Sequence, residues 1–240
     1  KAHANGVADV EIVDRATLRR LEPGLASTAR AALRVPREHL IDPWSPFLAY
    51  VIEAQSLGAR ILRNTAVTGG SFDGARWTLT TSGGPVVADW VVNAAGLYGD
   101  RIEAALLGDA SFTIKPRKGQ FVVFDKSAAQ HLGHIILPVP SERTKGLVLT
   151  RTVFGNVLVG PTAEEQEDRD RPTVTQQGLA ALIARAAEIL PALADMPVTA
   201  TYAGLRPASE EKHYRIRHEP ERHWITAGGI RSTGMTAALG

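Results

Sequence analysis

The chain has no cysteine, no apolar run approaching the length of a membrane-crossing helix, little net charge and no G-x-G-x-x-G turn. Each absence narrows the possible functions. Without cysteine there is no disulfide, thiolate metal site or cysteine nucleophile, which fits a reducing compartment and leads us to expect a cytoplasmic protein. A formal net charge of +2 with no basic run gives no footing for nucleic acid, which is not expected as a partner. The histidine pairs 131/134 and 213/218 lack metal-ligand context, so no metal is expected. No Ser-His-Asp constellation, internal repeat or low-complexity linker stands out.

The 240 residues are 44% hydrophobic and 22% charged, enough for the core of one large domain or two smaller ones. The sequence opens KAHANGV and stops in GGIRSTGMTAALG, one turn into an expected helix. We expect a fragment trimmed on both sides.

Periodicity and punctuation predict the elements. DRATLRRL (14–21) reads as a helix capped by Asp14. Residues 33–40 read as strand and loop. Asp42-Pro43 opens a helix whose apolar positions Phe47, Leu48, Val51, Ile52 and Leu57 keep helical spacing up to Gly58. ARILRNTAV (59–67) reads as a strand, SFDGARWTLTTSGG (71–84) as a hairpin around Asp73-Gly74, and 86–93 as one buried strand. A helix continues through 101–107. Segments 112–125, 134–139, 146–152 and 156–159 read as closely spaced antiparallel strands. EEQEDRDR (164–171) reads as a solvated loop, 175–190 as an amphipathic helix closed by Pro191, and 198–205, 214–218 and 223–227 as strands. Together these predict a mixed α/β (α+β) chain in which an α/β part is interleaved with an antiparallel, β-rich middle.

Two turns carry chemistry. VVNAAGLYGDRI (91–102) is a strand, a small-residue turn and a helix start. Small side chains there let a phosphate reach backbone N–H groups at the positive end of the helix dipole. WITAGGIRSTGMTAALG (224–240) repeats the scheme with glycines that tolerate positive φ and close approach. Either turn can equally be plain strand-to-helix punctuation.

The two turns, with IKPRKGQFVVFD (114–125), VGPTAE (159–164) and YAGLRP (202–207), resemble the FAD-dependent oxidoreductases of the D-amino-acid oxidase superfamily. Within it they are most similar to the glycerol-3-phosphate dehydrogenase and L-2-hydroxyglutarate oxidase branch. The resemblance implies a partial FAD-binding, Rossmann-like domain (42–108 and 222–240) interleaved with an antiparallel-sheet substrate domain (1–41 and 109–221). It implies FAD as cofactor of the full-length protein, with the G-x-G-x-x-G turn lying before Lys1. The fragment alone is expected to be inactive, and whether it binds FAD stays open.

The same resemblance implies site residues. Val67 matches the adenine contact. Ala95 and Gly96 match the turn beside the pyrophosphate and ribityl chain. Gly229, Ile230, Arg231, Ser232, Thr233, Gly234 and Met235 match the loop and helix start under the flavin ring. Arg206, in GLRP, matches the substrate-anchoring arginine, a role suited to a planar guanidinium fork. Arg231 is either a second anion ligand or not. Lys118 faces the flavin or substrate, or is an ordinary strand lysine. His39 is a candidate proton acceptor, since imidazole titrates near neutral pH. The expected reaction is hydride transfer from a small anionic hydroxy substrate, glycerol-3-phosphate or a 2-hydroxy acid, to FAD. Amine or amino-acid oxidation, a non-catalytic ligand-binding module and a nicotinamide-dependent enzyme are the rival readings. Contact with a quinone, another electron acceptor or a membrane surface stays open.

Overall fold

The computed structural model describes residues 2–139 and 146–238. In chain order it has β1 (Glu11–Val13), α1 (Arg15–Leu21), β2 (Ala32–Arg34), α2 (Ser45–Ser56), β3 (Val67–Phe72) and β4 (Trp77–Thr81). Then come β5 (Val86–Ala88), β6 (Val91–Asn93), α3 (Gly99–Leu107), β7 (Ile114–Phe124), β8 (Val148–Arg151) and β9 (Val157–Gly160). The last are β10 (Glu164–Glu165), α4 (Gln176–Ile189), β11 (Val198–Ser209), β12 (Arg215–Glu219), β13 (Trp224–Gly228) and α5 (Gly234–Ala237). This is the expected mixture of helices with antiparallel sheet. Two compact units divide it, both discontinuous in sequence: residues 1–53, 120–163 and 173–203, and residues 54–119, 164–172 and 204–240.

In the first unit, the end of β7, β9 and β8 pair antiparallel, with Val122 and Leu149 on either side of Val159. Alternation places Val122, Phe124, Val157 and Val159 in the core, where α4 lays Leu182, Ala186 and Leu190 against them. The helix start is held by the sheet itself. Gln120 is fully buried; its Oε1 accepts the Thr175 N–H at 2.6 Å, while Thr175 Oγ1 accepts the Gly178 N–H at 3.1 Å. Asp14 caps α1 as expected, accepting the Thr17 N–H at 2.8 Å.

In the second unit, β3, β4 and β5 form an antiparallel meander that includes the expected hairpin, with Phe72 opposite Trp77. A separate sheet runs β12-β13-β6, antiparallel between β12 and β13 and parallel between β13 and β6. Trp77 and Trp224 are buried with ring centroids 5.6 Å apart, and Trp77 Nε1 donates to the Arg222 carbonyl at 2.7 Å.

Four expected elements change. Residues 59–66 are not a strand: Asn64 adopts positive φ (56°), which interrupts extension. The strand expected at 86–93 is two strands in different sheets, because the chain turns at Asp89 and Trp90, where Trp90 stacks on His218 and His223. Residues 134–139 contribute a single bridge, Ile136 to Leu149; Pro138 has no N–H to extend it. The run 164–171 is only partly a solvated loop: β10 pairs with β7, and Arg169 turns inward. Helix α2 forms as predicted, yet it buries none of its residues.

Gly178→Ala would place a Cβ 2.7 Å from Gln120 Cδ and push that buried amide off Thr175. We expect a loss of about 1–3 kcal/mol, the cost of stranding a buried polar group. A lower urea midpoint at unchanged m-value would show it, and an unmoved midpoint would refute it.

Candidate functional site

Parallel pairing sets Thr226 of β13 beside Asn93 of β6. Both strands therefore end at the same side of the sheet, the side where open α/β sheets place ligands, and are followed there by the turns at 94–98 and 229–233. The first turn is fixed from within: Asn93 is buried, its Nδ2 donates to the Gly99 carbonyl at 2.8 Å, and its Oδ1 accepts the Ala95 N–H at 3.3 Å. Ala95 is exposed, and Gly96 has φ +56° with open space where a side chain would stand. Tyr98, the residue before α3, gives no side-chain cap, and within the first turn Asp100 Oδ1 accepts the Arg101 N–H at 2.9 Å.

On the second turn, Gly229 has φ +64°, and a Cβ there would meet Ser209 Oγ at 3.1 Å. Ile230, Arg231, Gly234 and Met235 are half-buried, and Ser232 is exposed. Thr233 Oγ1 is hydrogen-bonded to Tyr214 Oη, so it is not spent on capping α5.

Close to this turn lies a cavity of about 230 Å³ lined by Lys115, Arg117, Glu165, Ala208, Ser209, Glu210 and Arg231. Arg231 Nη2 donates to the Ser209 and Glu211 carbonyls at 2.5 and 2.6 Å, while its Nε is buried without a partner among the described residues. Arg206 is half-buried and makes no ion pair or hydrogen bond among the described residues. Burial first, and the charge of Arg117 second, pull its pKa below the usual guanidinium range. It stays charged at neutral pH all the same. Two guanidinium groups near each other, one of them without a carboxylate, are an arrangement that an anion would stabilise.

Lys118 does not join this group. It is buried, and its Nζ lies 3.2 Å from Glu164 Oε2. Successive strand residues face opposite ways, so Arg117 and Lys118 serve different faces of β7. His39 belongs to the first unit, where it is exposed and without a hydrogen-bond partner among the described residues. Val67 is half-buried at the start of β3, opposite Thr81. No group of metal-binding side chains occurs among the described residues.

Sequence reasoning missed Asp100 and Arg169. Burial raises the Asp100 pKa, but the Arg169 guanidinium, with the Ile114 and Arg101 N–H groups, outweighs it and holds the carboxyl below the usual range. No local pattern in EEQEDRDR marks Arg169, because its acidic partner lies far away in sequence.

The protein-family model for FAD dependent oxidoreductases, the DAO family, matches residues 1–240. The chain belongs to the DAO family. Among its relatives, a glycerol 3-phosphate dehydrogenase from Caloramator mitchellensis is 29% identical over 238 residues, covering 98% of this chain and 49% of the relative. A glycine oxidase from Pseudomonas aeruginosa is 32% identical over 194 residues, 78% of this chain and 50% of that protein. Among solved structures, the dithionite-reduced L-α-glycerophosphate oxidase from Mycoplasma pneumoniae, with FAD bound, superposes with TM-score 0.86 at 26% identity. That match covers 96% of this chain and 62% of the other. The DAO chain thus spans about half to just under two thirds of the length of these relatives.

The residues present fit the family's cofactor. At the first turn the Ala95, Tyr98, Gly99 and Arg101 N–H groups are bonded within the chain, which leaves Gly96, open above the backbone, and Leu97 as the donors suited to a phosphate-bearing group.

The Asp100 pairing has a pH signature. Its lowered folded pKa means that its stabilisation is complete above the ordinary carboxylate value of about 4 and is lost as pH falls through the folded value. Asp100→Asn should lower stability at neutral pH and flatten the acid limb of the urea-denaturation profile. An acid limb as steep as wild type would contradict this.

Proposed function

We propose that this chain is part of a flavoenzyme that oxidises a small anionic hydroxy compound, glycerol-3-phosphate or a 2-hydroxy acid. FAD, when bound, accepts the two electrons and the hydrogen leaving the substrate carbon. The chain's own residues bind and orient. Gly96 and the 229–235 turn hold the cofactor through backbone N–H groups, Ala95 lines the same turn with its small side chain, and Val67 contacts the adenine end. Arg206, with Arg117 beside it, fixes the substrate anion through parallel hydrogen bonds. Arg231 and Arg117 border the 230 Å³ cavity. His39 is retained as the candidate acceptor of the hydroxyl proton.

The single observation that carries this reading is the half-buried Arg206 guanidinium, unpaired among the described residues and next to a second arginine. In functional terms we assign 42–108 and 222–240 to cofactor binding, and 1–41 and 109–221 to substrate binding. The β6–β13 pairing supports the first assignment. The glycerol 3-phosphate dehydrogenase and L-α-glycerophosphate oxidase relatives support the choice of substrate class.

A second reading, amine or amino-acid oxidation, is favoured by the glycine oxidase relative. An anaerobic panel of glycerol-3-phosphate, 2-hydroxy acids and amino acids on the full-length protein, followed by flavin bleaching, separates the two readings. Arg206→Ala should raise KM for the true substrate ten- to hundred-fold, the loss of about 1.5–3 kcal/mol of charged hydrogen bonding. Unaltered kinetics would remove the anchor.

A further inference from the structure

The acidic-basic segment 164–172 is a strap between the strand carrying the cations and the turn assigned to the cofactor. At one end, the strand register sets Glu164 opposite Lys118, with which it forms an ion pair, and Glu165 opposite Arg117, and the Gln166 N–H donates to the Pro116 carbonyl at 3.1 Å. At the bend, Asp168 Oδ1 accepts the Asp170 and Arg171 N–H groups at 2.7 and 3.1 Å. At the other end, Arg169 enters the start of α3. Its Nη1 donates to the Leu97 carbonyl at 2.6 Å and Asp100 Oδ1 at 2.5 Å; its Nη2 donates to Asp100 Oδ2 at 2.9 Å and the Ile114 carbonyl at 3.0 Å. Tyr98 Oη donates to Asp170 beside it. The Arg169 and Asp100 side chains are 12% and 8% exposed.

We propose that Arg169 is a positioning residue for the cofactor turn. Resting on the FAD reading above, the inference gives the guanidinium two tasks. By gripping the Leu97 and Ile114 carbonyls together with the Asp100 carboxylate, it fixes the turn that carries the Gly96 and Leu97 N–H groups, the Ala95 and Tyr98 N–H groups being bonded within the turn to Asn93 Oδ1 and the Ala95 carbonyl. It also neutralises a carboxylate in the first turn of α3, where a free negative charge would repel the cofactor's phosphates. Only a planar fork reaches acceptors in these directions at once, so lysine is a poor substitute.

The test is FAD titration of the full-length apoprotein, followed by flavin fluorescence below the melting temperature. It compares wild type, Arg169→Gln, Arg169→Lys and the double variant Arg169→Gln/Asp100→Asn. Arg169→Gln should raise the FAD Kd roughly ten-fold or more, as expected for losing charged hydrogen bonds, with the largest effect at low ionic strength. The double variant should regain part of the affinity, because the stranded carboxylate is gone. A merely structural role predicts melting temperatures that shift among the variants while the FAD Kd of each folded variant stays at the wild-type value. A Kd for Arg169→Gln within about two-fold of wild type, or no recovery in the double variant, overturns the proposal. Should Arg169→Gln not fold, Arg169→Lys decides: a several-fold weaker Kd supports the proposal and an unchanged one overturns it. Wild-type protein that takes up no FAD removes the underlying reading and the inference with it. FAD uptake equal in wild type and variants removes the inference alone.

Discussion

The parallel pairing of β6 with β13 brings residues far apart in the sequence to one side of the sheet, Asn93 beside Thr226. Neither turn is distinctive alone. Each opens a helix whose N-cap residue makes no side-chain cap, and the pairing sends both away from the same end of the sheet. The pairing is anchored underneath by a buried network. Glu103 accepts from Ser111 through Oε2 and from Thr226 through Oε1, and Thr226 accepts from Trp224. With no solvent to serve these groups, leaving any of them unpaired would cost free energy comparable to the bond itself.

Strand alternation sorts the basic residues. A sequence that reads PRKGQ invites one cluster of cations, but neighbouring residues on an extended strand face apart. Lys118 is spent on Glu164, whereas Arg117 lies at the cavity near Arg206. Charge count along the sequence is therefore a poor guide to charge at the site. The same principle explains Arg169: in a run that looks like a solvated charged loop, one side chain turns inward because a buried carboxylate and two carbonyls await it.

Much of the fold was legible in the residues. Asp14 and Thr175 announce helix starts, Asp73-Gly74 the hairpin, and the two small-residue turns their sheet edge. These signals are short-range, set by what a few neighbouring residues do to the backbone. The failures share a cause. The apolar stretch 86–93 looks continuous, yet its halves pair in different sheets, and strand partners are set by residues far away. Helix α2 kept its spacing, while Phe47 and Ile52 remain 54% and 57% exposed, because periodicity predicts a face but not what covers it.

The residues alone decided that this is a cysteine-free, mixed α/β chain of the DAO family with an arginine in GLRP and two small-residue turns after strands. The folded molecule decided which charges meet: Arg117 with Arg206, Arg169 with Asp100, and Lys118 with Glu164 instead of with the arginines. Local backbone preference acts over a few residues and can be read in order along the chain. Electrostatic partnership depends on distance in space, and only strand pairing and burial set that distance.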